Sequence, residues 1–150
     1  MSAATPIAGV YAFHGPDAFR KNEAIAALCA RIAEADGDGQ GPTQFDGDNA
    51  ELASVLDEVR TFSLLGGRRI VIVNRADPFI TKHRGALERY CASPADSGTL
   101  ILECNSLPGN QKLHKIIAKQ GEVVRFDELK GRAVAEWMVQ RAKNAYGKRL

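Results

Sequence analysis

The sequence predicts an α/β domain in which a mostly parallel sheet of about five strands carries helices on both faces. Three observations lead there. The runs Ile70-Val71-Ile72-Val73 and Thr99-Leu100-Ile101-Leu102 are continuously apolar rather than alternating, as in strands covered on both faces of a parallel sheet. Strand-like segments alternate with segments of helical period, which implies βαβ crossovers. The chain has 150 residues, 45% hydrophobic and 25% charged, enough for one domain with its own core and no need of staples.

Each element has a local cause. Gly9-Val10-Tyr11-Ala12-Phe13 is β-rich and closed by His14-Gly15-Pro16, after which Asp17 is placed to cap a helix running to about Ala35. In that helix Ala18, Ile25, Leu28, Cys29 and Ile32 form one apolar stripe, and the Gly-rich run 36–42 breaks it. Thr43-Gln44-Phe45 reads as a short strand, and the turn Asp46-Gly47-Asp48 leads into a helix with Leu52, Val55, Leu56, Val59 and Phe62 inward, stopped by Gly66-Gly67. Between the two buried runs, residues 81–91 read as a helix ended by Ser93-Pro94. Residues 111–119 form another, with Leu113, Ile116 and Ile117 inward, and Glu122-Val123-Val124-Arg125-Phe126 is a last, alternating strand. A final helix over 131–146 carries Val134, Trp137, Met138 and Arg141 on a face that no later element covers, so the chain is expected to stop just inside a following domain.

Composition excludes several classes. Cys29, Cys91 and Cys104 are widely spaced, with no C-x-x-C and no His at ligand spacing, and read as small buried hydrophobes rather than a zinc site or disulfide framework. Net charge is +2; the segment from Lys130 to Leu150 holds six basic residues against Glu136 alone, and the rest is net acidic, no blanket for DNA phosphates. No apolar run approaches the roughly 20 residues of a membrane span, and the N-terminus has neither a basic nor an apolar leader region, so a cytoplasmic protein without membrane contact is expected.

The turn after the first strand is where an α/β protein would cradle a phosphate. Against the pattern G-x-x-x-x-G-K-[ST], Gly15 and Lys21 fall in register, but Arg20 stands for the second glycine and Asn22 for the magnesium-binding hydroxyl. Pro16 removes a backbone donor and Asp17 adds a negative charge. A nucleotide hydrolase also needs carboxylates at the end of a buried strand, where this chain has Asn74 and Arg75; Asp77 reads as a turn or capping residue. The next strand end, Glu103-Cys104-Asn105, loses its object as a γ-phosphate sensor once the phosphate site is gone.

Other constellations fail as well. Ser63, Ser93 and Ser106 lack a G-x-S-x-G context, and His14, His83 and His114 are scattered, each reading as a lone surface histidine. Asp36, Asp38, Asp46 and Asp48 lack calcium-loop spacing and read as solvated loops.

One segment fits the ordinary reading badly. In Thr61-Phe62-Ser63-Leu64-Leu65-Gly66-Gly67 two large apolar residues stand at a helix tip just before Gly-Gly. Residue type alone favours Leu64 or Leu65 closing the core; the alternative is an outward pair that enters a pocket on a partner.

The ordered features Gly9-Val10-Tyr11, His14-Gly15, Asp17 and Phe19, then Phe45-Asp46-Gly47-Asp48, then Arg60 through Val73, then Leu129-Lys130-Gly131-Arg132 and Trp137 resemble the N-terminal part of the bacterial DNA polymerase III delta subunit family, the clamp-opening member of the clamp loader. The resemblance covers nearly the whole chain. It implies a P-loop NTPase/AAA+-like three-layer fold over residues 1–130 with a degenerate nucleotide site at Gly15, Arg20, Lys21, Asn22, Asn74 and Arg75, and the start of a helical lid over 131–150. It also implies a non-catalytic component of the DNA polymerase III holoenzyme that takes no cofactor or metal. Its docking element, Ser63, Leu64 and Leu65 flanked by Phe62 and Gly66, would enter a hydrophobic pocket of the sliding clamp, the beta subunit. The second anchor, commonly Phe in relatives, is Leu65 here and offers less area. Further implied partners are the other clamp-loader subunits, in the full-length protein, and DNA only within the assembled complex. The enzymatic alternative is a P-loop ATPase or nucleotide kinase with a divergent phosphate loop; direct DNA binding through the basic tail ranks last.

Overall fold

The computed structural model describes residues 7–37, 41–62 and 66–127. Within them, β1 (Val10–His14), α1 (Ala18–Asp36), β2 (Thr43–Asp46), α2 (Leu52–Arg60), β3 (Arg69–Asn74), α3 (Asp77–Ala92), β4 (Gly98–Glu103), α4 (Lys112–Gln120) and β5 (Glu122–Arg125) follow one another. The sheet has the order β2-β3-β4-β1-β5, and every pairing is parallel. The central strands β1, β3 and β4 are the continuous apolar runs, buried along nearly their whole length, while the edge strands β2 and β5 are half-exposed.

Alternation along these strands sorts the core into two layers. Val10, Ala12, Val71, Val73, Leu100 and Leu102 face α2, α3 and α4, packing on Val55, Val59, Phe79, Leu87, Leu113 and Ile117. Tyr11, Phe13, Ile70, Ile72 and Ile101 face Ile25, Leu28 and Ile32 of α1. The expected three-layer α/β architecture is therefore present. Because α1 lies on one face and α3 and α4 on the other, the direction of chain winding switches between β1 and β4, the place where open α/β sheets form a crevice at the carboxyl ends of their strands.

Several elements depart from the sequence reading. The buried stripe of α1 is Lys21, Ile25, Leu28 and Ile32, with Ala18 exposed, so a lysine holds the first inward position. Helix α2 stops at Arg60 rather than at Gly66-Gly67: the Thr61 hydroxyl donates to Asp57 O at 2.6 Å and its backbone turns extended, which leaves Phe62 outside the helix and 78% exposed. Helix α3 begins at Asp77, four residues early, because Pro78 occupies the first turn, where its missing N–H costs nothing; non-helical torsions at His83 kink the helix just after. Cys91 and Cys104 are buried and Cys29 half-buried, and burial pushes the Cys91 and Cys104 thiols up to about 12. Among the described residues no helix is long and apolar enough to cross a membrane. The expected helix over 131–146, the basic segment from Lys130, and Ser63, Leu64 and Leu65 lie outside the described residues.

Candidate functional site

The carboxyl edge of the sheet holds the residues matched to the phosphate pattern, and apart from Asn22 their polar groups are engaged within the protein. Gly15 has φ +113°, and a Cβ there would meet Phe126 O at 2.3 Å, so glycine is required by the approach of β5's exit. The backbone N–H of Gly15 donates to Asn105 O at 3.1 Å, that of Asp17 to Phe126 O at 3.3 Å, and that of Ala18 to Pro16 O at 3.0 Å. The Asp17 carboxylate caps α1 as expected, accepting from Arg20 N at 3.0 Å, while Lys21 N donates to Asp17 O at 3.1 Å. A phosphate cradle needs N–H groups converging on empty space; these five already have acceptors.

Lys21 is 1% exposed, and its Nζ donates to Cys104 O at 2.9 Å and pairs with Glu103 Oε2 at 2.7 Å. The other Glu103 oxygen accepts from Arg75 N at 2.9 Å. Thus the Glu103 carboxylate ties α1 to β4 and β4 to the exit of β3. Arg20 donates to Asp127 O at 3.1 Å and lies over the Phe126 ring at 5.3 Å. Asn22 is exposed on α1 and does not join this cluster.

Asn74 and Arg75, standing where catalytic acids would be, face the end of β2. Asn74 Nδ2 donates to Gln44 Oε1 at 2.9 Å; Arg75, at φ +51°, pairs with Asp46 and, at 3.4 Å, with Asp48. The backbone N–H of Asp48, followed by the Arg75 guanidinium, holds the Asp46 carboxyl below its ordinary range. Asp46 and Asp48 are therefore not merely solvated: they clasp an arginine. Asp77 accepts from Asn105 N at 2.9 Å and from Ser106 N at 3.2 Å, so it holds the loop after β4 and makes no cap bond to α3, whose N-cap is Ala76.

Sequence reasoning missed Glu103 as a linchpin, although the first polar residue after a buried run was a signal. It also misread His14, which is 7% exposed and meets His114 edge-on at 6.0 Å rather than lying alone on the surface. Nothing in the sequence points to a pair of residues that far apart along the chain; only the adjacency of β1 and α4 brings them together. His83 likewise stacks edge-on against Phe79 at 5.0 Å.

The α2–β3 connection lies at the opposite, amino edge, as any α-to-β connection in a parallel sheet must. Both of its flanks are anchored. Arg60 sits over the Tyr90 ring at 5.2 Å on one side. On the other, Arg68 N donates to Asp36 O at 2.5 Å and its guanidinium to Gly98 O at 2.9 Å, while Arg69 pairs at 2.5 Å with Glu58, which also accepts from the Thr43 hydroxyl at 3.0 Å. Gly66 and Gly67 have φ of +79° and +91°, a reversal that favours glycine, and open space surrounds Gly66. Phe62 and Gly66 thus stand exposed on either side of residues 63–65.

A model of the family described as DNA polymerase III, delta subunit matches residues 11–127. The chain is similar to DNA polymerase III subunit delta of Bacillus subtilis (strain 168), with 24% identity over 145 residues, which is 89% of this chain and 42% of that protein. Among solved structures it is similar to the Bacillus subtilis DNA clamp loader delta protein, with a TM-score of 0.71 and 24% identity over 93% of this chain and 44% of that one, a likeness of fold. The chain spans about two fifths of the length of these relatives. With the family match running from β1 through the exit of β5, the chain belongs to the DNA polymerase III delta subunit family.

Proposed function

We propose that this domain acts in DNA replication as the clamp-docking part of a clamp-loader delta subunit, contacting the sliding clamp through Leu64 and Leu65, with Ser63, Phe62 and Gly66 completing the tip, and hydrolysing no ATP itself. The observation that carries the reading is the pair of flanks of the α2–β3 connection: an exposed Phe62 on one side, a left-handed glycine pair on the other, and anchors through Arg60, Arg68 and Arg69. Anchored flanks lower the ordering entropy that a docking segment between them loses on binding. Opening a closed ring then requires only that the tip bind the open state more tightly than the closed one. The occupied carboxyl edge, with Lys21 committed to Glu103 and Cys104 O, supports a role without nucleotide turnover. In the full-length protein the remaining partners would be the other loader subunits, with DNA met only in the assembled complex and 131–150 leading into a helical lid.

Calorimetry of the chain against its cognate purified clamp tests this. The Leu64→Ser/Leu65→Ser variant is expected to lose binding while keeping its unfolding midpoint; retained affinity overturns the assignment of the tip. Equilibrium dialysis with labelled ATP and magnesium tests the second half, and micromolar binding coupled to hydrolysis would favour the ATPase reading.

A further inference from the structure

A second polar feature of the carboxyl edge takes no part in clamp docking. His14 and Arg125 are register partners on β1 and β5. By alternation both face α4, as do Val10, Ala12 and Val123. From α4, His114 is set edge-on against His14 at 6.0 Å, and the three side chains line an open cavity of about 460 Å³ together with Asn105, Ser106 and Gly109. This is a different face of β1 from the one on which Lys21 meets Glu103.

Several ring and guanidinium nitrogens at this cavity have no hydrogen-bond partner among the described residues. His14 is 7% exposed and lines the cavity, and neither ring nitrogen has a hydrogen-bond partner among the described residues. His114 Nδ1 lies 2.9 Å from Leu107 O, an acceptor only, so Nδ1 carries the proton and Nε2 is left for another partner. Asp127 binds Arg125 through Nε at 2.7 Å, leaving the terminal guanidinium nitrogens without a partner among the described residues. Among the described residues no carboxylate lines the cavity, and Asp127 is engaged by Arg125 Nε, so the lining offers N–H groups to an anion and no acidic ligand to a metal cation.

We propose that the cavity between β1, β5 and α4 binds a phosphate-type oxyanion, held by His14, His114 and Arg125, with the Asn105 and Ser106 side chains at its rim. The volume admits a phosphate and leaves room for the rest of a phosphate ester. Burial first, then His114, Arg125 and Lys21, lower the His14 pKa against the opposing pull of Asp127, so an anion there draws a proton onto His14 and binds more tightly as pH falls. The site lies at the sheet edge opposite the clamp-docking tip, and its failure would leave that reading untouched.

The test is NMR of the histidine ring nitrogens in this 150-residue chain, titrated with inorganic phosphate and, separately, with sodium chloride at matched ionic strength. A saturable shift of His14 and His114 with phosphate alone, accompanied by a rise in the His14 pKa, is expected. The Arg125→Gln variant, whose side chain is exposed and whose folding is checked by its unfolding midpoint, should bind roughly tenfold more weakly. ATP without magnesium identifies the source: tighter binding than phosphate points to a nucleotide phosphate, equal or weaker binding to the free ion. Equal shifts with chloride, no saturable shift, or unchanged affinity in Arg125→Gln would each overturn the proposal.

Discussion

Lys21 shows how a residue in register with a nucleotide-binding pattern serves another purpose. Its ammonium is buried against Glu103 and a backbone carbonyl, and removing one member of such a pair strands the other charge. Glu103→Ala should lower unfolding free energy by about 3 kcal/mol in urea titrations. The apolar double variant Lys21→Met/Glu103→Leu should recover most of that loss, because no charge is then left buried; a double variant as unstable as the single would contradict this account. His14 gives a pH signature. Its folded pKa lies below the ordinary 6.5, so the unfolded chain binds the proton more readily. Its contribution is therefore intact above 6.5 and is lost as pH falls from there to the lowered value, levelling off below. Thermal unfolding across that window should show the decline, and His14→Gln should flatten it.

At the scale of the element, the tip after α2 and the start of α3 make opposite demands. Phe62 contributes little to the fold because it is 78% exposed, so Phe62→Ser should change stability by less than about 0.5 kcal/mol while weakening clamp binding in the calorimetric assay. Asp77 opens α3 and accepts from two N–H groups of the loop after β4. Asp77→Ala should cost about 1 kcal/mol in chemical unfolding, since those donors face solvent once the carboxylate is gone. These two elements were also where sequence reading placed boundaries wrongly. Apolar periodicity carries on through Phe62, but the Thr61 hydroxyl ends the helix by bonding back to Asp57 O. The sequence reading starts the helix at residue 81, yet α3 begins at Asp77, because Pro78 fits a first helical turn once the strand before it has ended at Asn74.

Across the whole molecule the parallel sheet separates two polar ends. A strand of six residues such as β3 puts roughly 20 Å between them. Changes at that distance with no shared partner add independently. Glu103→Ala, assayed where it remains folded, should therefore keep clamp affinity within about twofold of the parent, and the Leu64→Ser/Leu65→Ser variant should keep the parent's unfolding midpoint; a loss of clamp affinity in Glu103→Ala would instead reveal coupling through the sheet.

The sequence by itself determined the layered α/β class and the five strands, because continuous apolar runs, helical stripes and the Asp17 cap are local signals of burial and hydrogen bonding. It also displayed the substitutions at Arg20, Asn22, Asn74 and Arg75, since a missing residue type is visible without coordinates. Only the tertiary structure decided what those residues do instead. That Lys21 answers Glu103, that Arg75 answers Asp46 and Asp48, and that His14 meets His114 beside Arg125 all depend on strand order, which sets residues far apart in the chain side by side at one edge. Strand order is fixed by the packing of whole helices on the two faces, a collective property that no local pattern carries.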